Sequence, residues 1–278
     1  MKIISLQPSI SLILDRLGCL DSLAACTKYC LDVVPELRSR VLPVVHDSWS
    51  TKTEELLPVP ADLVIASVPY RQESLTAILK SGRPVLTLAP KTLADIYDDI
   101  RLIASIVHQP ERGEALVADT QSEIAAVRSR TRCLTRPRVY CEEWGKPLIH
   151  SQRWVAELVE AAGGTFLGEP GTTTTPDAIA AADPDVIIAA WCGAGDRVPL
   201  ERIVEQRMRE QRRWRDLAAV RNRRVYCIAD ELLNTPAPTL IDGLRALTRA
   251  IHPELFGAIT TAQGRQIEES LAITSKLD

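Results

Sequence analysis

The sequence predicts an α/β protein of two parallel-sheet lobes joined by a long helical connector, and three observations carry that prediction. Short runs of Val, Ile and Leu alternate with segments of helical period, the pattern of strand–helix units whose sheets are covered on both faces. Between two strand-rich halves, residues 92–131 hold a nearly unbroken helical pattern. The halves also echo each other: "VPADLVIAS" at 59–67 and "ADPDVIIAA" at 182–190 each run from a helix end through an acid into an apolar strand, as a duplicated lobe would.

Taken in order, the first half holds apolar strands at residues 3–6, 23–26, 63–66 and 85–88, with helices at 9–17 and 71–80. Gly18 ends the first helix. The connector starts with a helix at 92–108, breaks at His108-Gln109-Pro110 and restarts on Pro110, because proline suits a first helical turn. From Glu111 to Arg130 it is rich in Ala and Glu, with a partial stripe of Leu116, Val117, Ile124 and Val127 that is too short and irregular for heptads. The second half holds strands at 139–141, 186–190 and 225–228 and helices at 152–162, 176–181, 200–209 and 238–251. The expected division is an N-terminal lobe over 1–90, a connector over 91–136 and a C-terminal lobe over 137–278, each lobe Rossmann-like in its strand–helix alternation.

At 278 residues, with 46% hydrophobic and 25% charged residues and a net charge of -3, the chain has the make-up of a water-soluble globular protein. It lacks the basic footprint of a nucleic-acid binder. Its longest apolar runs are strand-length, far short of the roughly 20 residues that cross a bilayer. The opening "MKIISLQPS" reads as the first strand of the fold rather than as a secretory leader, so the expectation is a cytoplasmic chain, or a periplasmic one from which a leader was removed. Seven scattered cysteines agree with reduced thiols rather than a disulfide framework.

Several stretches resemble the substrate-binding proteins of iron-complex and cobalamin ABC importers: "IISLQPSISLILDRLG", "CTKYCLDVVPE", "TEELLPVPADLVIAS", "LVEAAGGTFLGEPGTTTTPDAIAAADPDVIIAA" and "RDLAAVRNRRVYCIADELLNTPAPTLIDGLRAL". The resemblance covers nearly the whole chain. It implies two lobes on a helical backbone, the class III architecture of these receptors, with a ligand held between the lobes and no enzymatic activity. It also implies an ABC permease partner, for which Glu73 and Glu201 are the candidate docking acids, and a monomeric binding protein.

In open parallel sheets, ligands meet the loops that follow the carboxyl ends of the strands. That rule selects Gln7, Pro8 and Ser9 after the first strand, Lys28, Tyr29 and Cys30 after the second, and Val68, Pro69 and Tyr70 after the third. In the second half it selects Glu142, Glu143 and Trp144, then Trp191 and Cys192, then Asp230 and Glu231. Aromatics are only 4% of the chain, yet Tyr29, Trp49, Tyr70, Trp144 and Trp191 fall at loop starts or strand ends, where a large flat ligand would find stacking faces. The resemblance adds that Tyr29 sits in the segment where corrinoid binders carry a tyrosine, and Asp230 where they carry an acid. The expected ligand is therefore a corrinoid such as cobalamin, or a related tetrapyrrole or metal chelate, with haem or a ferric siderophore as alternatives.

Of the four histidines, only His46 and His150 fall near these loops, and with Glu142, Glu143 and Asp230 they carry no local metal-site spacing. No protein-held metal is expected. The cysteines read as small buried apolar residues, Cys30 and Cys192 being the two that follow strands. Nucleophile elbows, P-loops and zincin motifs are absent, so catalysis is not indicated. An enzyme acting on a bulky cofactor, with Glu142, Glu143 or Asp230 as acid or base, is the contrasting hypothesis.

Overall fold

The computed structural model describes residues 1–191, 200–210, 212–260 and 264–267. Contacts divide the chain into two compact units, Met1–Gln121 with Thr235–Pro238, and Ser122–Asn234 with Thr239–Asp278. The division falls inside the helix Pro110–Thr131. The preceding helix, Leu93–Ile106, which the sequence pattern assigns to the connector, packs against helix Pro8–Arg16 of the first unit.

The first unit is built on five parallel strands, β1 (Ile3–Ser5), β2 (Leu23–Thr27), β3 (Val44–Val45), β4 (Leu63–Ser67) and β5 (Val85–Leu88), in the order β3-β2-β1-β4-β5. β1 is buried along its whole length, as expected of a strand covered on both faces. Pro8 stands in the first turn of its helix, and the chain turns away at Gly18 with φ of +69°. Helix Leu93–Ile106 starts on a reciprocal capping box: Thr92 accepts from the Asp95 amide while Asp95 accepts from that of Thr92.

The second unit carries β6 (Arg138–Gly145), β7 (Leu148–His150), β8 (Thr165–Phe166), β9 (Thr173–Thr174), β10 (Val186–Ala189), β11 (Val225–Ile228) and β12 (Gly264–Gln266). Its sheet runs β12-β11-β10-β6-β7-β9, with β8 beside β6. β6, β10 and β11 are parallel, whereas β7, β9 and β12 join antiparallel, so this sheet is mixed where the sequence reading expects a parallel one. The added strands are two or three residues long. So short a run carries no readable period of 2, and its place is set by the neighbouring strand. The same holds for β3 and β8. β10, the apolar "VIIA" run, is fully buried at the centre.

Candidate functional site

In the first unit the strand order reverses between β1 and β4, the switch point at which open α/β sheets take ligands. The loops leaving these two strands are tied together, since the Gln7 amide donates to the Pro69 carbonyl at 3.3 Å. Pro8 is half-buried and Ser9 buried, while Tyr70 is half-buried on the loop after β4. A third loop joins them through Ser48, whose backbone N–H and hydroxyl both donate to the Leu6 carbonyl and whose Oγ accepts from the Ser67 amide. Asp47 then closes a turn by accepting from the Ser50 amide at 3.0 Å and the Ser50 hydroxyl at 2.6 Å. Trp49 is thereby held at the tip of an anchored turn, with 48% of its surface exposed.

The Arg71 guanidinium lies 5.4 Å from the centre of the Trp49 ring, and the Ser74 hydroxyl donates to the Trp49 carbonyl at 2.7 Å. Trp49, Lys52, Glu54, Arg71, Glu73 and Ser74 are among the residues that line an open concavity of about 560 Å³. Glu73 is exposed in the first turn of helix Gln72–Leu79. Tyr29 is half-buried, with the Lys28 ammonium 4.9 Å from its ring. Cys30, in contrast, faces inward: it is fully buried, 3.2 Å from the Thr27 hydroxyl. His46 is engaged by Glu55, whose carboxylate lies 2.8 Å from Nδ1.

The second half of β6, from Glu142 to Gly145, holds a denser arrangement in the second unit. The Glu142 side chain is buried and gathers three donors: the Tyr140 hydroxyl at 2.9 Å, Trp191 Nε1 at 2.7 Å, and Arg207 Nη1 at 2.6 Å from each carboxylate oxygen. Arg207 comes from helix Leu200–Glu210, and its guanidinium also sits over the Trp191 and Trp214 rings at 5.4 and 5.6 Å. Gly145 makes room for this packing, because a Cβ there would stand 2.0 Å from the Trp191 ring and 2.6 Å from Arg207 Nη2.

Trp191 itself is only 8% exposed and belongs to the apolar core with Tyr140, Val204 and Trp214. Trp144 is 41% exposed, its ring centre 5.7 Å from that of Trp191, with its N–H donating to the Lys146 carbonyl. Of the three indoles expected as stacking faces, the two in this unit differ: Trp144 faces solvent and Trp191 lies buried against it. Burial pushes the Glu143 carboxyl above its ordinary range, against a hydrogen bond from the Gln152 amide. Burial also pulls His150 down, and its Nδ1 has no hydrogen-bond partner among the described residues. Asp230 opens the short helix Asp230–Leu233 just after β11.

The structure brings Glu142, Trp144 and Trp191 together, but Glu142, Glu143 and Trp144 lie inside β6, which pairing with β7 extends to Gly145, rather than on a loop after a strand ending at 141, and the sequence reading misses Arg207, 65 residues beyond Glu142 on a helix. The signal in the sequence is that Arg207 falls three and four residues after Val204 and Ile203 in "RIVEQRM", on their side of a helix, and a charged residue bordering an apolar stripe reads the same way. Cys192 lies outside the described residues, as does the side chain of Glu201. Among the described residues no group of three or more His, Cys, Asp or Glu side chains could hold a metal ion, and no helix is long and apolar enough to cross a membrane.

Known proteins share this architecture. A vitamin B12-binding protein of Vibrio cholerae is 24% identical over 256 residues, covering 87% of this chain and 86% of its own length. An ABC transporter substrate-binding lipoprotein of Bacillus subtilis is 21% identical over 268 residues, 92% of this chain and 81% of the relative. The apo structure of a periplasmic haem-binding protein from Roseiflexus superposes with a TM-score of 0.73 at 25% identity, over 90% of this chain and 98% of the other. The family model described as periplasmic binding protein matches residues 3–232, and the chain belongs to that family.

Proposed function

We propose that the chain binds a corrinoid or a related tetrapyrrole or metal chelate through the loops at the carboxyl ends of its sheets. The observation that carries this reading is the exposure of two indoles in a chain with few aromatics: Trp49, on a loop anchored to the ends of β1 and β4, and Trp144, in the last residues of β6. Exposed tryptophans held by hydrogen bonds at their own backbone or ring N–H form preset flat surfaces, and stacking on them loses little side-chain entropy. Tyr29, Tyr70, Pro8, Ser9, Glu143 and Asp230 complete the proposed contact set, with Trp191 supporting Trp144. Two relatives named for B12 and haem binding support the ligand class.

The test is a titration of the purified chain with cyanocobalamin and with haemin, followed by visible absorption. A saturable shift of the corrin or Soret bands at one ligand per chain is expected. Absence of binding to both would overturn the reading.

A second reading makes the chain the binding component of an ABC importer for haem or a ferric siderophore, docking on its permease through Glu73 and Glu201. The lipoprotein relative and the exposed position of Glu73 favour it. Retention of the chain by membranes bearing such a permease, lost on Glu73→Arg, is its expected signature.

A further inference from the structure

We propose that Glu142 and Arg207 are positioning residues that fix the orientation of Trp191 and, through it, the ring face that Trp144 presents. The binding part of this proposal rests on the ligand reading above, and the orientation part does not.

Four observations converge. Glu142 is 1% exposed within β6, and among the described residues its two oxygens meet only donors: an O–H, an indole N–H and a guanidinium. A carboxylate is the one side chain that accepts at both oxygens, so an amide here would set an NH₂ against one of those donors. Arg207 approaches both oxygens at 2.6 Å with its side chain 10% exposed, which makes it the charge partner of a buried acid. Gly145 has no Cβ where one would strike the Trp191 ring, so the indole is gripped from strand, carboxylate and guanidinium together.

Trp144 lies against that fixed ring, with ring centres 5.7 Å apart and planes tilted by 42°, and stays exposed. An indole on a loose base would sample several rotamers, and a flat ligand would lose affinity by ordering it. The grip on Trp191 therefore sets part of the affinity without touching the ligand.

The experiment uses the full chain with Arg207→Met, Arg207→Lys, Trp191→Phe and the Arg207→Met/Trp191→Phe pair, each first shown to melt cooperatively. Two readouts follow: the far-UV exciton couplet of the close tryptophan pair, assigned by its loss in Trp144→Phe, and the affinity for whichever of haemin or cyanocobalamin the unmodified chain binds. Arg207→Met should lose most of the couplet, and Arg207→Lys should recover part of it because the ammonium keeps a cation beside Glu142. Arg207→Met and Trp191→Phe should each weaken binding about tenfold, and the pair should weaken it no further, because both changes break one coupled unit.

A folded Arg207→Met protein with the native couplet, or a double variant whose losses multiply, overturns the proposal. If Arg207→Met does not melt cooperatively, Glu142→Gln replaces it under the same criteria. If the unmodified chain binds neither probe, the ligand reading fails, and the couplet alone still decides whether Arg207 orients the pair.

Discussion

Trp144 and Trp191 lie in ring contact yet belong to different environments, one 41% and the other 8% exposed. Truncating them should therefore separate binding from stability. Trp144→Ala is expected to weaken ligand binding by about 1–3 kcal/mol while leaving the melting temperature nearly unchanged, since a half-exposed ring contributes little to the core. Trp191→Ala should cost about 3–5 kcal/mol of folding stability with or without ligand, the range for emptying a buried aromatic site, and it also leaves Glu142 short of one donor. Calorimetric melts and titrations on both variants check this, and equal melting temperatures for the two would contradict the burial assignment.

Single elements show how local chemistry sets pH behaviour. Helix Leu93–Ile106 begins with Asp95 in its capping box, and Asp98 and Asp99 follow within two turns. Burial, with Asp95 and Asp98 nearby, pushes the Asp99 carboxyl up to about 7. The folded state thus holds a proton that the unfolded chain releases near pH 4, so stability from this group is full below pH 4 and is lost as pH rises through about 7. Asp99→Asn, which removes the charge but keeps the shape, is expected to raise the melting temperature by a few degrees at pH 8 and to leave it unchanged near pH 4. Melts at the two pH values decide it, and equal effects at both would exclude the shifted carboxyl.

For the whole molecule, the proposed function carries a thermodynamic consequence that does not depend on which residues touch the ligand. A ligand that binds only the folded chain stabilises it by RT ln(1 + [L]/Kd), about 2.7 kcal/mol when present at 100 times Kd. Haemin or cyanocobalamin, whichever binds, should therefore raise the melting temperature by about 5–10 °C for a domain of this size. A calorimetric scan over a ligand series tests it, and a flat response alongside a spectral shift would point to adventitious association with unfolded chain as well.

Much of this architecture is written in short-range pattern. "VIIA", "LVIAS" and "VYCI" are legible as central strands because burial on both faces demands continuous apolar runs, and Thr92 and Pro176 mark helix starts through their own hydrogen bonding and fixed φ. Strand direction follows from strand–helix alternation, so the sequence points to the neighbourhood of Glu142 and Trp144, although both lie within β6 rather than after it. Tertiary structure alone decided the rest. The short strands β3, β8, β9 and β12 exist through pairing with neighbours distant in sequence, and β7 through a hairpin with β6, all at lengths too short to show a period. Which indole faces solvent, and the meeting of Arg207 with Glu142 across 65 residues, depend on how a helix lies against a strand end, and that is set by the packing of whole side chains rather than by any spacing along the chain.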